Sequence, residues 1–240
     1  MDPLTQGMLG AIGAQNLGHL ATNPPTKYKQ LKLAGILGFL AGLSADLDVL
    51  IKSESDPLLA FEYHRQFTHS LIFIPFGGLL SAVILFSLFS RRWKLSFQTT
   101  MLYCTAGYAT HALLDACTTY GTQLFWPFSN VRIAWNTVSI IDPLFTLPLL
   151  ALVIAASFRN STTIARIALA WVFIYLAFGM LQRDRAEEAA YALANERGHQ
   201  AERLIAMPSI GNTIVWKTVY QVDNKYYVDV VRTGISISRY

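Results

Sequence analysis

Residues 70–90, SLIFIPFGGLLSAVILFSLFS, decide the fold, because this stretch contains no charged side chain over its whole length. An α-helix needs about 20 predominantly apolar residues to cross the hydrocarbon core of a bilayer. The stretch is therefore long enough to form one membrane span. Arg91, Arg92 and Lys94 follow directly and mark the point where the chain leaves the membrane.

The composition of the 240-residue chain also indicates a membrane protein. Hydrophobic residues make up 53% and charged residues only 14%, whereas charged residues average about 25% in soluble domains. This composition excludes a disordered chain, a collagen-like fibre and an ordinary soluble enzyme. The two cysteines, Cys104 and Cys117, lie in apolar sequence and do not suggest a disulfide framework. No basic run is long enough to indicate a nucleic-acid partner. The composition predicts the lipid bilayer as the partner.

Four further apolar segments predict additional spans, at residues 33–51, 98–118, 140–158 and 164–181. Together with residues 70–90, they indicate an all-α polytopic membrane domain of about five spans over residues 1–181. Residues 4–20 are rich in glycine and alanine and predict a short helix that lies on the membrane or is partly buried.

The tail, residues 182–240, predicts a small extramembrane appendage made of a helix and a β-hairpin. Residues 183–206 are rich in helix formers. Residues 213–222 and 226–233 alternate in polarity and are rich in β-branched and aromatic side chains, which is typical of paired strands. Because a lone hairpin is only marginally stable in water, we expect it to dock on the helix, the membrane domain or another chain.

Basic residues predict the orientation, because cytoplasmic loops carry an excess of lysine and arginine. They fall in three alternate loops, namely before the first predicted span (Lys27, Lys29, Lys32), after the second (Arg91, Arg92, Lys94) and between the fourth and fifth (Arg159, Arg166). These loops are predicted to be cytoplasmic. The loops at residues 52–69 and 119–139, together with the tail, are then on the outer side.

Seven ionisable side chains fall at or near the outer ends of the predicted spans, although a charged group inside a bilayer costs about 2.5–3.5 kcal/mol. They are Asp46, Asp48, His64, His69, His111, Asp115 and Asp142. The orientation depends on lysines and arginines alone, so the gathering of carboxylates and imidazoles on one side is an independent observation. It predicts a shared polar site.

The residue types in this group favour a metal, since carboxylates and neutral imidazoles are ligands of zinc and of neighbouring divalent ions. His111 and Asp115 are four residues apart on a predicted helix and share a face. Asp46 and Asp48 are two residues apart, so both reach one site only if the first span ends or unwinds near Ser44. The pattern predicts one or two ions of zinc, manganese or iron. A proton-coupled or ion-coupled transporter and a non-enzymatic envelope protein with a structural metal are the alternatives.

Through these residues the chain resembles a family of bacterial inner-membrane metal-dependent hydrolases, the YdjM-like, LexA-associated group. The resemblance covers about residues 1–155 and rests on six pieces, Met1-Asp2-Pro3-Leu4-Thr5-Gln6, Asp46-Leu47-Asp48, His64-Arg65 through Thr68-His69-Ser70, His111 through Leu114-Asp115, Thr119-Tyr120-Gly121-Thr122-Gln123 to Pro127-Phe128-Ser129, and Ile141-Asp142-Pro143. The resemblance implies a divalent metal held by the Asp and His residues. It also implies a distant similarity to the helical folds of zinc-dependent phospholipase C and related nucleases.

The residues and the resemblance together predict a metal-dependent hydrolase in the bacterial inner membrane, with a site that faces the periplasm. The predicted substrate is a phosphoester in a lipid or an envelope precursor. The predicted metal ligands are Asp46, Asp48, His64, His69, His111 and Asp115, of which Asp46, Asp48, His69 and Asp115 are also expected to take part in catalysis. Arg65 is expected to neutralise a phosphate, and Asp142 to orient a histidine ligand.

Overall fold

The computed structural model of the protein describes residues 1–20, 30–53, 55–56 and 58–239. Lys27 and Lys29, which contribute to the predicted orientation, lie outside the described residues. The helices of the described part are α1 (Pro3–Asn16), α2 (Gln30–Leu43), α3 (Leu59–Tyr63), α4 (Ile74–Leu85), α5 (Phe97–Ala116), α6 (Pro143–Arg159) and α7 (Thr162–Glu196). The strands are β1 (Arg203–Pro208), β2 (Val215–Val222), β3 (Lys225–Thr233) and β4 (Ile237–Arg239).

Helices α1, α2 and α5 form the centre of the bundle, and glycines allow their backbones to approach closely. A Cβ atom on Gly38 of α2 would lie 2.3 Å from the carbonyl oxygen of Gly10 on α1. A Cβ atom on Gly107 of α5 would lie 2.3 Å from the carbonyl oxygen of Gly38. Larger side chains would separate the helices, and small residues at such crossings are typical of helix packing in membranes. The predicted N-terminal helix is therefore a buried part of this core.

Three helical segments of the described residues are long and apolar enough to cross a membrane, namely Gln30–Leu50, Leu71–Ser90 and Thr162–Glu196. The helix Pro143–Arg159 is also apolar, but it has only 17 residues. The predicted count of five spans is therefore not confirmed, although each predicted segment contains a helix. Helix α5 contains more polar side chains than a typical span, and α1, α2 and α4 pack around it. A shielded helix tolerates ionisable side chains that a lipid-facing helix would not.

The predicted hairpin is confirmed, and it belongs to a larger sheet of four antiparallel strands in the order β1-β2-β3-β4. Val222 pairs with Lys225 across a two-residue turn. Both turn residues, Asp223 and Asn224, have positive φ angles of 47° and 63°, as a type I′ turn requires. The sheet packs on the second half of α7 through an apolar cluster that includes Trp216.

Helix α7 runs without a break from Thr162 to Glu196, so the predicted fifth span and the predicted tail helix are one helix. The prediction of a helix as far as residue 206 is wrong, because α7 ends at Glu196 and Arg203–Pro208 pair with β2 as strand β1. The division into a membrane domain, residues 1–181, and a tail, residues 182–240, stays a prediction. The sheet is anchored beside the start of α6, where the backbone amide of Gly211 donates to the carbonyl oxygen of Ile141 at 2.9 Å. The appendage therefore lies at the end of the bundle where α5 ends and α6 begins.

Candidate metal centre

A change of helix type places Asp46 and Asp48. Helix α2 ends at Leu43, and the chain continues as a 3₁₀-helix over Ser44–Leu50. Because a 3₁₀-helix has three residues per turn, side chains two positions apart are separated by about 120° around the axis, compared with about 160° in an α-helix. The unwinding predicted near Ser44 is confirmed, and it brings both carboxylates towards the interior.

Four side chains, Asp46, His69, His111 and Asp115, each direct one possible ligand atom to a common centre. The Nε2 atom of His69 lies 3.5 Å from Asp46 Oδ1 and 3.3 Å from Asp115 Oδ2. The Nε2 atom of His111 lies 3.2 Å and 3.4 Å from the same two oxygens. Ligands bound at 2.0–2.1 Å to a tetrahedral zinc ion are about 3.3–3.4 Å apart. The four separations therefore match four of the six edges of a tetrahedral zinc site.

The hydrogen bonding around this centre also fits a cation. Within the described part of the chain, the buried atoms His69 Nε2 and Asp115 Oδ2 make an ion-pair contact of 3.3 Å, but neither takes part in a hydrogen bond of good geometry. A buried polar group without a partner costs about 1–3 kcal/mol. Two imidazole nitrogens and two carboxylate oxygens form a ligand set that suits zinc and neighbouring divalent ions. The residues present could therefore hold such an ion.

The second nitrogen of each imidazole ring is held from outside the centre. His69 Nδ1 lies 3.3 Å from Asp48 Oδ2, and His111 Nδ1 contacts the backbone carbonyl oxygen of Gly42. Such outer contacts orient a histidine so that its other nitrogen faces the metal. Asp48, predicted as a direct ligand of the shared site, thus lies behind His69 and takes the orienting role that was predicted for Asp142.

Asp48 also belongs to a second group of possible ligands, together with Asp46 and His64. His64 Nδ1 lies 2.9 Å from Asp48 Oδ1. Because Asp46 is shared by both groups, the geometry is compatible with one ion or with two. His64 itself does not belong to the group of four around the first centre.

The three carboxylates bias the charge of the pocket strongly. Burial alone would lower the pKa of the His69 imidazole, but contacts with Asp115, Asp46 and Asp48 outweigh burial and raise this pKa to about 10. A nearby negative charge favours a protonated imidazole. The same excess of negative charge favours a metal cation at the centre.

Asp115 is held by contacts on both of its carboxylate oxygens. The amino group of Met1 contacts Oδ1, and the side-chain amide nitrogen of Gln6 donates to the same oxygen at 2.8 Å. Arg65 Nε lies 3.1 Å from Oδ2, while its NH1 group donates to the Thr118 hydroxyl at 3.0 Å. Arg65, predicted to neutralise a substrate phosphate, is thus buried and directed at Asp115, where it balances the carboxylate charge.

Asp142 lies outside both groups of possible ligands. Its Oδ1 atom accepts hydrogen bonds from the backbone amides of Leu144 and Phe145 and so caps the start of α6. Its Oδ2 atom accepts a hydrogen bond from the Tyr175 hydroxyl at 2.7 Å. The structure therefore corrects the predicted role of Asp142, because a carboxylate at a helix N-terminus satisfies free amides.

Two groups that hold the centre were not predicted from the sequence. One is the Thr68 hydroxyl, which donates to Asp48 Oδ2 at 2.8 Å and which lies next to His69 in the chain. The other is the Gly42 carbonyl group behind His111. A threonine beside a candidate ligand is a signal that sequence can provide, whereas a backbone carbonyl has no sequence signature.

Among the described residues, the exposed side of the centre is the one at Asp46. Among the four converging side chains, Asp46 is 28% exposed and the other three are fully buried. His64 is 24% exposed beside it. A substrate would therefore reach the centre past Asp46 and His64.

One family model and two relatives match the chain. The family model described as "YdjM inner membrane protein" matches residues 1–186. The chain is 23% identical to the uncharacterized protein YfhP of Bacillus subtilis (strain 168) over 232 residues, which cover 95% of this chain and 67% of YfhP. It is 34% identical to the inner membrane protein YbcI of Escherichia coli (strain K12) over 82 residues, which cover 32% of this chain and 44% of YbcI.

The match to YbcI thus spans less than half of that relative, so YbcI supports only a local similarity. No solved structure matches the chain. The family model, in contrast, extends over α1 to α6 and the first part of α7, and it includes every side chain of the candidate centre. The chain belongs to the YdjM inner membrane protein family.

Proposed function

We propose that the protein is a membrane-bound metal-dependent hydrolase in which Asp46, His69, His111 and Asp115 hold a divalent ion. The observation that carries this proposal is the set of four donor separations of 3.2–3.5 Å around one centre. Zinc is the favoured ion, because these separations fit tetrahedral coordination. Membership of an inner membrane family and the apolar helices support a membrane location.

The residues around the centre have different proposed roles. When bound, a divalent ion supplies Lewis acidity that polarises a scissile bond and makes water more acidic. Asp48 and the Gly42 carbonyl hold the two imidazoles in place. Asp115, fully buried, anchors the deep side of the centre, while Asp46 and His64 line the side through which substrate and water enter.

A phosphoester in a lipid or envelope precursor is the proposed substrate. The centre lies at one end of the apolar bundle, where a lipid headgroup would be found if the bundle spans the membrane. The basic residues Arg91, Arg92 and Lys94 follow the end of the segment Leu71–Ser90, whereas His69 precedes its start. By the positive-inside rule, the centre and the appendage are then on the periplasmic side.

The orientation can be tested with reporter fusions. Green fluorescent protein fused after residue 240 is expected to give no fluorescence, and alkaline phosphatase at the same position is expected to be active. Fusions after Lys94, in the basic turn, are the matched control and should show the opposite pair of signals. A fluorescent fusion after residue 240 would place the appendage, and the centre with it, in the cytoplasm.

A substitution at Asp48 tests whether this residue orients His69 from behind and does not bind the ion directly. Asp48→Asn keeps the size of the side chain and removes the charge that holds His69 Nδ1. We expect metal affinity to fall by about 10–100-fold without complete loss, as is typical of an outer partner of a histidine ligand. The affinity is measured by competition with a zinc-binding dye. Asp184→Asn, at an exposed carboxylate on α7, is the control and should leave the affinity unchanged.

Elemental analysis of the purified, detergent-solubilised protein, together with a phosphoester assay, tests the proposed function. We expect about one or two equivalents of a divalent metal per chain, and hydrolysis of a phosphodiester that stops when a chelator removes the metal. Metal without any turnover across a panel of phosphoesters would favour a structural metal. Absence of metal, even after reconstitution, would contradict the hydrolase and favour an ion pathway.

A further inference from the structure

An apolar groove runs along the bundle between α2 and α4 and has a volume of about 460 Å³. This volume falls within the range of small-molecule sites, which is about 300–1,000 Å³. Apolar residues of α2, of the 3₁₀-helix that follows it and of α4 line the groove, including Leu40, Leu43, Leu47, Gly77, Leu80 and Ile84. An occupant of this groove would have to be largely apolar itself.

The open side of the groove faces the lipid phase if the two helical segments that form its walls span the membrane. Its two walls belong to the segments Gln30–Leu50 and Leu71–Ser90, both of which are long and apolar enough to cross a membrane. On the rim, Leu80 is 60% exposed and Ile84 is 48% exposed. An occupant that enters sideways therefore comes from the bilayer, where hydrocarbon chains are the abundant apolar molecules.

One end of the groove reaches the residues that hold the candidate metal centre. Asp48 and Thr68 both line the groove. The Thr68 hydroxyl donates to Asp48 Oδ2 at 2.8 Å, and the same Asp48 oxygen lies 3.3 Å from His69 Nδ1. An occupant of the groove would therefore have one end beside the centre and the rest of its length in an apolar environment. This is the shape of an amphiphile with one long chain in the groove.

The floor of the groove is tied to the same loop. A Cβ atom on Gly77 would lie 2.2 Å from the ring of Tyr108, so only glycine at this position lets the ring lie against α4. The Tyr108 hydroxyl then donates to the carbonyl oxygen of Thr68 at 2.7 Å. The groove and the loop that carries His69 are thus held together by one side chain of α5.

We propose that this groove holds one hydrocarbon chain of a membrane amphiphile and that the substrate of the centre is a phosphoester lipid that enters from the side. The binding of a hydrocarbon chain is inferred from the groove itself. The inference that this hydrocarbon chain belongs to the substrate rests on the proposed function. Moving a hydrocarbon chain from the bilayer into an apolar groove has little driving force, because lipid tails are as apolar as leucine. The groove therefore aligns the amphiphile, and the polar head at the centre supplies most of the affinity.

Photolabelling tests this proposal with a matched pair of variants. The probe is a phosphatidic acid with a diazirine halfway along one acyl chain, present at low fraction in phosphatidylcholine nanodiscs with the zinc-loaded protein. Leu80→Trp/Ile84→Trp fills the groove from its rim. Leu79→Trp/Val83→Trp changes the same helix at side chains that are 41% and 48% exposed and do not line the groove.

In the wild type, we expect the labelling of peptides from the groove walls to be at least about five-fold stronger than that of peptides from an exposed part of α7. This reference part includes Phe173 and Ile174, which are 65% and 64% exposed. Groove labelling should fall about five-fold in Leu80→Trp/Ile84→Trp and stay unchanged in Leu79→Trp/Val83→Trp. Equal labelling of the groove and of α7, or equal loss in both variants, would overturn the proposal.

Metal content and hydrolysis of a water-soluble phosphodiester are measured on the same wild-type preparation. Groove labelling in a protein without metal or turnover would support the hydrocarbon-binding groove and overturn the proposed function. Metal and soluble-substrate turnover without groove labelling would overturn the lateral chain site alone. The two failures are therefore distinguishable.

Discussion

His69→Ala is expected to reduce bound metal from about one equivalent per chain to less than about a tenth, because one of four ligands is lost. His69 contributes two of the four donor separations at the centre, to Asp46 and to Asp115. Loss of an outer partner of a histidine ligand costs about 10–100-fold in affinity or activity, and loss of the ligand itself should cost more. We therefore expect hydrolysis to fall by at least about 100-fold.

The measurement is elemental analysis of the wild type and the variant, purified in the same detergent and reconstituted with the same zinc solution. His199→Ala is the matched control, since it makes the same chemical change in the appendage, where His199 Nδ1 lies 3.0 Å from the Tyr220 hydroxyl. The control should keep its metal. Full occupancy in His69→Ala would show that His69 is a packing residue and that the ion is held by other residues.

Asp115→Ala is expected to have the largest effect on stability, with a loss of about 3–5 kcal/mol in the free energy of unfolding. Its carboxylate is fully buried and contacts the Met1 amino group, Gln6 and Arg65. Removing it leaves these buried donors, two of them charged, without their partner. Removing one member of a buried ion pair is far more costly than removing an exposed charge.

The loss is measured by unfolding in mixed micelles, followed by circular dichroism, in the presence of a chelator so that metal does not contribute. Asp46→Ala is the comparison, because Asp46 also belongs to the centre but is 28% exposed. We expect Asp46→Ala to lose metal with a change of about 1 kcal/mol or less in the free energy of unfolding without metal. Equal destabilisation by both variants would contradict the anchoring role of Asp115.

Several features of the fold follow from local sequence. The charge-free stretch at residues 70–90 predicts a helical span, and Leu71–Ser90 is a helical segment long and apolar enough to be one. The alternating residues 213–222 and 226–233 predict a hairpin, and β2 and β3 confirm it. Both properties are carried by successive side chains, so they can be read without knowing what else the chain contacts.

The number of spans could not be predicted in the same way. Helix α5 has 20 residues, enough to cross a membrane, but it is not among the three segments that are also apolar enough, and it is packed between α1, α2 and α4. Its surroundings are set by the glycines where it crosses α2, which bring two backbones together over a long sequence separation. Hydropathy alone does not report such packing.

The gathering of aspartates and histidines at one end of the bundle was determined by the sequence, because span direction and the positions of these residues along each span are local properties. The tertiary structure alone decided the layers within that group. Asp46 and Asp115 face the centre, Asp48 holds a ring from behind, Arg65 balances a buried carboxylate, and Asp142 caps a helix. The physical reason is that each role depends on the direction of a side chain and on partners far away in the chain. One of these partners is the backbone carbonyl of Gly42, which cannot be identified from the type of residue.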